Sequence, residues 1–220
     1  MCPDVEKFEQ DIESFVSKLS EGESEGVKIT LIRLSKKLKR LKEKGLVKIN
    51  HSILELACAK YYYKLGYEVD VEYPVNGLSC DILGVRGDGR LIVEVETGFV
   101  PPEGALTPTE YTIARISSKI ARYSQFAHKF ALGTPSFNLL LIPKLFMKPP
   151  RNRKPEEINT IKKICDVYYR NPPISYEQIA NARLHSICII DADDGFVKEV
   201  SSEAYFEVLN LLSSTFMLKL

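Results

Sequence analysis

Apolar and polar positions along the chain change period several times, and each change marks an element. In residues 27–44, Val27, Leu31, Leu34, Leu38 and Leu41 recur at helical spacing, and Gly45 stops the pattern. A first helix is predicted over Asp4 to Leu19, set off by the polar break "SEGESEG". A third runs from 51 to 65 on the stripe Ile53, Ala57, Tyr61 and Leu65, ended by Gly66. The period then drops to two: Val69, Val71, Tyr73 and Val75 alternate with Glu68, Asp70 and Glu72, a half-exposed strand. "CDILGV", the tight turn "GDG" and "RLIVEVET" complete a three-strand meander. Helical spacing returns over 109–132. The wholly apolar run "FNLLLIP", residues 137–143, suits a buried strand. Residues 155–171 read as helix, "SICIIDADDGFVKEV" as two strands about a turn at Asp194–Gly195, and 201–217 as an amphipathic helix. The order, α-β-β-β-α-β-(α)-β with extra helices at both ends, predicts an α/β fold with helices on both faces of a mixed sheet.

The chain has 220 residues, 45% hydrophobic and 27% charged, the profile of a globular protein with material for a sizeable core. This suits an N-terminal helical extension, 1–48, followed by a main domain, 49–220. No apolar run is long enough for a membrane span, and the acidic, amphipathic N-terminus does not read as a secretory signal. The five scattered cysteines fit neither a disulfide framework nor a zinc site, so idle thiols and a cytoplasmic location are expected.

Net charge is only +1, but its distribution is uneven: residues 1–26 hold eight acidic and two basic residues, and 28–48 hold nine basic and one acidic. The basic face of the second helix, with Lys36, Lys37 and Arg40, has three readings: a solvated face, a backbone-binding arm for nucleic acid, or a partner helix in a homodimer using the leucine seam.

The strand "GRLIVEVETG" carries the chemistry. Glu94 and Glu96 are two apart, so they share a face about 6–7 Å from each other. Buried carboxylates are costly unless paired or metal-bound. Asp81 opens the preceding strand, and a pairing through "GDG" brings it toward Glu94. Carboxylates at neighbouring strand ends form a ready site for a hard divalent cation, with the Val95 carbonyl as a further oxygen.

The pattern of Asp81, twelve intervening residues, then Glu94-Val-Glu96, preceded by a helix bearing Glu55, resembles the PD-(D/E)XK nuclease superfamily. The element order over residues 51–143 is similar to its αβββαβ, restriction-endonuclease-like core. The resemblance is nearest to archaeal Holliday-junction-resolvase-like and restriction-endonuclease-like members. It implies a divalent-metal-dependent endonuclease hydrolysing phosphodiester bonds in DNA, with Mg²⁺ (or Mn²⁺) as cofactor. Asp81 and Glu94 would be metal ligands and Glu55 an auxiliary one. Glu96 stands where the family usually has Lys; it, or a water it holds, would help deprotonate the nucleophile. Some restriction enzymes keep activity with E-x-E, and in others the cation has moved to the next helix. Arg115, Lys119 and Arg122 share one face of the helix after the strand, so Lys119 would neutralise Glu96 or contact the scissile phosphate. Gln125 is a further polar candidate there. Arg115 and Arg122, with Arg151 and Arg153 of the basic loop "KPPRNRKP", would contact DNA. The alternative is a DNA-binding protein on a catalytically degenerate nuclease fold, motivated by the missing Lys.

Other motifs fall away. His51, His128 and His185 form no H-x-x-x-H or H-E-x-x-H pattern, and "GVRGDG" is no phosphate loop. "DADDG" lacks the twelfth-position Glu of a calcium loop and reads as a turn.

Overall fold

In the computed structural model of the chain, residues 3–216 are described; Cys2, and Met217 at the end of the expected terminal helix, lie outside them. Three helices come first: α1 (Pro3–Ser20), α2 (Glu25–Glu43) and α3 (Ile49–Lys64). The meander follows as β1 (Glu68–Val75), β2 (Leu78–Arg86) and β3 (Gly89–Val95). Then come α4 (Pro108–Tyr123), β4 (Lys129–Pro135), α5 (Pro155–Tyr168), α6 (Tyr176–Asn181), β5 (Ser186–Asp191), β6 (Phe196–Ser201) and α7 (Ser202–Phe216). Among the described residues the strands form one six-stranded sheet in the order β1-β2-β3-β4-β5-β6. The meander is antiparallel, β3, β4 and β5 run parallel, and β6 returns antiparallel. Parallel neighbours need a crossover, and α4 and the α5–α6 pair supply the two.

The layers follow from the apolar stripes. One buried cluster ties Phe8 and Ile12 of α1, Leu31, Leu34 and Leu38 of α2 and Tyr62 of α3 to Val71, Leu91, Val93 and Val95. The opposite cluster ties Ile116 and Ile120 of α4 and Ile158 and Ile161 of α5 to Ile92, Phe130, Leu132 and Ile187. The leucine seam of α2 is therefore buried within its own chain, and the dimer reading loses the apolar face that motivated it. The N-terminal extension packs as part of this core through that seam. No described helix is long and apolar enough to cross a membrane.

The fourth strand differs from expectation. It is Lys129–Pro135, not 137–143, and the helix thought to reach 132 ends at Tyr123. Ala127 and Phe130 happen to continue the spacing of Ile113, Ile116 and Ile120, although a 3₁₀ turn at Ser124–Phe126 breaks the helix. A central parallel strand is apolar on both faces, so no alternation distinguished it. In 137–143, Leu140 and Ile142 are buried, but the Leu140 N–H donates to the Tyr205 hydroxyl (2.8 Å) rather than to a strand. The short helix α6 was also missed; Ser175 and Gln178 close a reciprocal capping box at its start.

Candidate metal and phosphodiester site

Antiparallel pairing of Ile82 with Val93 puts Asp81 opposite Glu94. The Asp81 N–H donates to Glu94 Oε1 (3.1 Å), and the Val95 N–H donates to Asp81 Oδ2 (2.6 Å). The two carboxylates thus extend the β2–β3 ladder past its last pair, within β2 and near the end of β3. β1 is distorted at the same level: Glu72 has φ +46°, a region few residues other than glycine adopt. Val71 faces the α3 layer and Val75 the α4 layer despite equal parity, and Ile82 and Cys80 differ in the same way. The sheet changes face around Glu72 and Asp81, which lets Asp81 meet groups from both layers.

From the α4 side comes Lys119. Its Nζ lies 3.2 Å from Asp81 Oδ2, 3.3 Å from Glu94 Oε2 and 3.1 Å from Glu96 Oε1, and it donates to the Val95 carbonyl at 2.6 Å. Arg115, one turn earlier, pairs with Glu96 (2.9 Å) and donates to the Phe99 carbonyl (2.8 Å), fixing the start of the loop after β3. Burial opposes the charge on Lys119, but the carboxylates of Asp81, Glu94 and Glu96 outweigh it and hold the ammonium well above the usual lysine range. Burial, then the Asp81 charge, pushes the Glu94 carboxyl well above the usual carboxylate range.

From the α3 side comes Glu55. It is 0% exposed, and neither carboxylate oxygen has a hydrogen-bond partner. Burial, with Asp81, Glu72 and Glu94 nearby, raises its carboxyl well above the usual range. His51, one turn earlier on the same face, places Nδ1 4.0 Å from Glu55 Oε1, too far for a hydrogen bond. One ligand atom each from His51, Glu55 and Asp81 lie within 4.8 Å of one another. Burial lowers the His51 imidazole below its usual range.

Of the expected site residues, the structure brings together Asp81, Glu94, Glu96, Lys119, Arg115 and Glu55. His51 belongs to no His–His spacing; its signal in the sequence is H-x-x-x-E, with Glu55 four residues on. Glu72 was read as an exposed strand residue, yet it is half-buried and accepts from Ser79 (2.8 Å).

Several expected DNA contacts are engaged within the chain. Arg153 is buried; its guanidinium donates to the carbonyls of Lys148, Ile179 and Ala180, and burial pulls it down to about 10. That correction has a simple cause: the Lys148 carbonyl of the basic loop and the Ile179 and Ala180 carbonyls at the end of α6 need a donor, and Arg153 supplies it. Arg122 donates to the Pro172 carbonyl and lies over the Tyr169 ring. Lys37 pairs with Asp70 (2.9 Å), while Lys39 and Lys42 pair with Glu13 and Asp4 of α1, so acidic α1 neutralises part of the basic stripe. Lys36, Arg40 and Arg151 are exposed. Gln125 is exposed and bonds back to the Arg122 carbonyl instead of joining the site. His128 and His185 accept backbone N–H groups through Nδ1 and have structural roles. Cys58, Cys80, Cys165 and Cys188 are buried free thiols.

Comparison with protein-family models, with curated proteins and with solved structures gave no match to this chain.

Proposed function

We propose that the chain is a divalent-cation-dependent phosphodiester hydrolase acting on DNA, built on a restriction-endonuclease-like core. One observation carries the reading. Asp81, Glu94 and Glu96 converge on Lys119 at a strand end, beside a buried Glu55 whose carboxylate has no partner. A carboxylate that is fully desolvated and unpaired is expensive to keep, and a bound cation would offset that cost. The residues therefore fit a divalent ion, with Asp81 and Glu55 as holders. Such an ion, when bound, supplies Lewis-acid stabilisation of phosphate charge and a more acidic water.

The chain's own groups would do the rest. Water oxygen attacks phosphorus, the bond from phosphorus to the leaving sugar oxygen breaks, and the water proton needs an acceptor. Glu94, opposite Asp81 and raised above the usual carboxylate range by burial and the Asp81 charge, is the group assigned that role. Glu96, paired with both Arg115 and Lys119, would position those two cations. Lys119, reaching in from α4, would stand in for the Lys that the strand lacks and face the charge growing on phosphate. Exposed Lys36, Arg40 and Arg151 would contact the DNA backbone. The test is cleavage of plasmid DNA in Mn²⁺ or Mg²⁺ against EDTA. Wild type is expected to cut and Asp81→Ala to be inert with unchanged circular dichroism. An Asp81→Ala protein that cuts like wild type sinks the assignment.

A second reading has its own observation. The Lys119 ammonium already sits among Asp81, Glu94, Glu96 and the Val95 carbonyl, oxygens that would otherwise face a cation. A chain that had lost catalysis and kept DNA binding would have this arrangement. It would bind DNA in a salt-dependent way and would not cut it with any divalent ion.

A further inference from the structure

We propose that the cation is held on the α3 side of Asp81, by His51, Glu55 and Asp81, and that the nitrogen ligand selects a first-row transition-metal ion such as Mn²⁺ over Mg²⁺. This rests on the reading that a divalent cation serves the site, and not on which bond is cut.

Three observations place the ion there. The first is geometric. Ligand atoms of His51, Glu55 and Asp81 lie within 4.8 Å of one another, and the His51 Nδ1 to Glu55 Oε1 distance is 4.0 Å. Ligands around an ion with bonds of about 2.1 Å stand about 3.0–4.2 Å apart, depending on angle. The trio needs only a small closure of side chains, and His51 and Glu55 come from one face of one helix.

The second is the state of Glu55. It is fully buried, both its oxygens lack partners, and it belongs to the same constellation. Every other carboxylate at the site has a donor: Asp81 has the Val95 N–H and Lys119, Glu94 has the Asp81 N–H and Lys119, Glu96 has Arg115 and Lys119, and Glu72 has Ser79.

The third is that the opposite side of Asp81 is filled. Lys119 Nζ takes oxygens from Asp81, Glu94, Glu96 and the Val95 backbone, all within 3.3 Å. A second cation among those same oxygens would meet an ammonium at contact distance, where like charges repel strongly in a buried setting. The Lys119 and Val95 contacts both use Asp81 Oδ2, and Oδ1 makes no hydrogen bond among the described residues. Asp81 thus has one oxygen for the chain's own cation and one for the ion.

The donor set then decides the class of ion. Mg²⁺ prefers oxygen ligands and near-ideal octahedral geometry. Imidazole favours transition ions, whose affinities for nitrogen donors rise along the first row. One imidazole with two carboxylates therefore favours Mn²⁺ over Mg²⁺.

Isothermal titration of the full chain with MnCl₂ and with MgCl₂ tests the proposal without using activity. Wild type is expected to bind one Mn²⁺ at least tenfold more tightly than Mg²⁺. His51→Ala should weaken Mn²⁺ binding tenfold or more and level the preference. Glu55→Gln, which keeps the buried shape, should weaken both ions and stands in if His51→Ala does not fold. Glu94→Gln should bind Mn²⁺ within threefold of wild type. Wild-type affinity for Mn²⁺ in both His51→Ala and Glu55→Gln, loss of binding in Glu94→Gln alone, or no binding by wild type overturns the proposal. Metal binding as described with no DNA cleavage would instead remove the hydrolase reading and leave this one standing.

Discussion

Two carboxylates are drawn into this sheet from opposite ends, and they are treated differently. Glu199 of β6 has three donors on one oxygen: Lys129 pairs with Oε1 at 2.7 Å, the Tyr62 hydroxyl donates to it at 3.0 Å, and the Ser186 hydroxyl donates to it as well. Burial works against its charge, but these partners win, and its carboxyl lies below the usual range. Glu55 of α3 has no hydrogen-bond partner, and its carboxyl lies well above that range. Half-buried Glu199 is supplied with donors by its own fold. Fully buried Glu55 is left bare beside Asp81 and His51, and the proposed cation would supply the partner that the fold does not.

The sharpest way to break this contrast is through cleavage. Asp81→Asn and Glu94→Gln should each lower the rate of DNA cleavage by at least about 10²-fold, the scale of a lost electrostatic contribution in an active site. Glu199→Gln should leave the rate within about threefold of wild type at a temperature where it is folded, because its partners do not touch the site. Equal losses from both ends would erase the distinction.

Stability separates the cations next. Lys119→Met strands three carboxylates around a buried gap and should cost about 3–5 kcal/mol in urea unfolding, as removing one partner of a buried ion pair does. Lys129→Met removes a cation whose side chain is 36% exposed, and solvent screening should hold that loss to about 1 kcal/mol or less.

The pH response should carry opposite signs. For metal-free protein, the folded state holds a proton on Glu55 that the unfolded chain releases near 4.5, so stability from this group falls as pH rises from about 4.5 through the folded value. Glu55→Gln should abolish that fall and make the protein more stable than wild type at neutral pH in EDTA. For Glu199 the folded value is depressed, so its contribution is present above 4.5 and is lost as pH drops through the folded value. Chemical denaturation across pH for the two Gln variants reads both slopes; slopes of one sign would contradict the contrast.

The smallest effects concern the exposed cations. Lys36→Ala, Arg40→Ala and Arg151→Ala should each reduce the salt dependence of DNA affinity by about one unit of slope, whereas Arg153→Ala should act through stability alone. An unchanged slope in the first three would move the DNA path elsewhere.

Most of the fold was legible because its signals are local. The alternation of β1, the apolar runs of β2 and β3 about the Gly87–Asp88 turn and the Leu seam of α2 announced themselves through pattern and spacing. β4 was not, since "KFALGTP" is buried on both faces and continues a helical stripe by accident. The site divides in the same way. Asp81, Glu94 and Glu96 could be read from strand pairing, and Lys119 from its place on the following helix. His51 and Glu55 come close to Asp81 where the sheet changes face at Glu72, whose φ is +46°. No residue-type pattern foretold that distortion. Nor did sequence distinguish Arg151, which is exposed, from Arg153, which turns inward two residues later.

Diffraction at the manganese absorption edge from a crystal soaked in MnCl₂ tests the central claim most directly. The expected result is an anomalous peak about 2.2 Å from carboxylate oxygens of Asp81 and Glu55, with no peak at Glu199. A map with no peak beside Asp81, or with its peak at Glu199, would contradict the account.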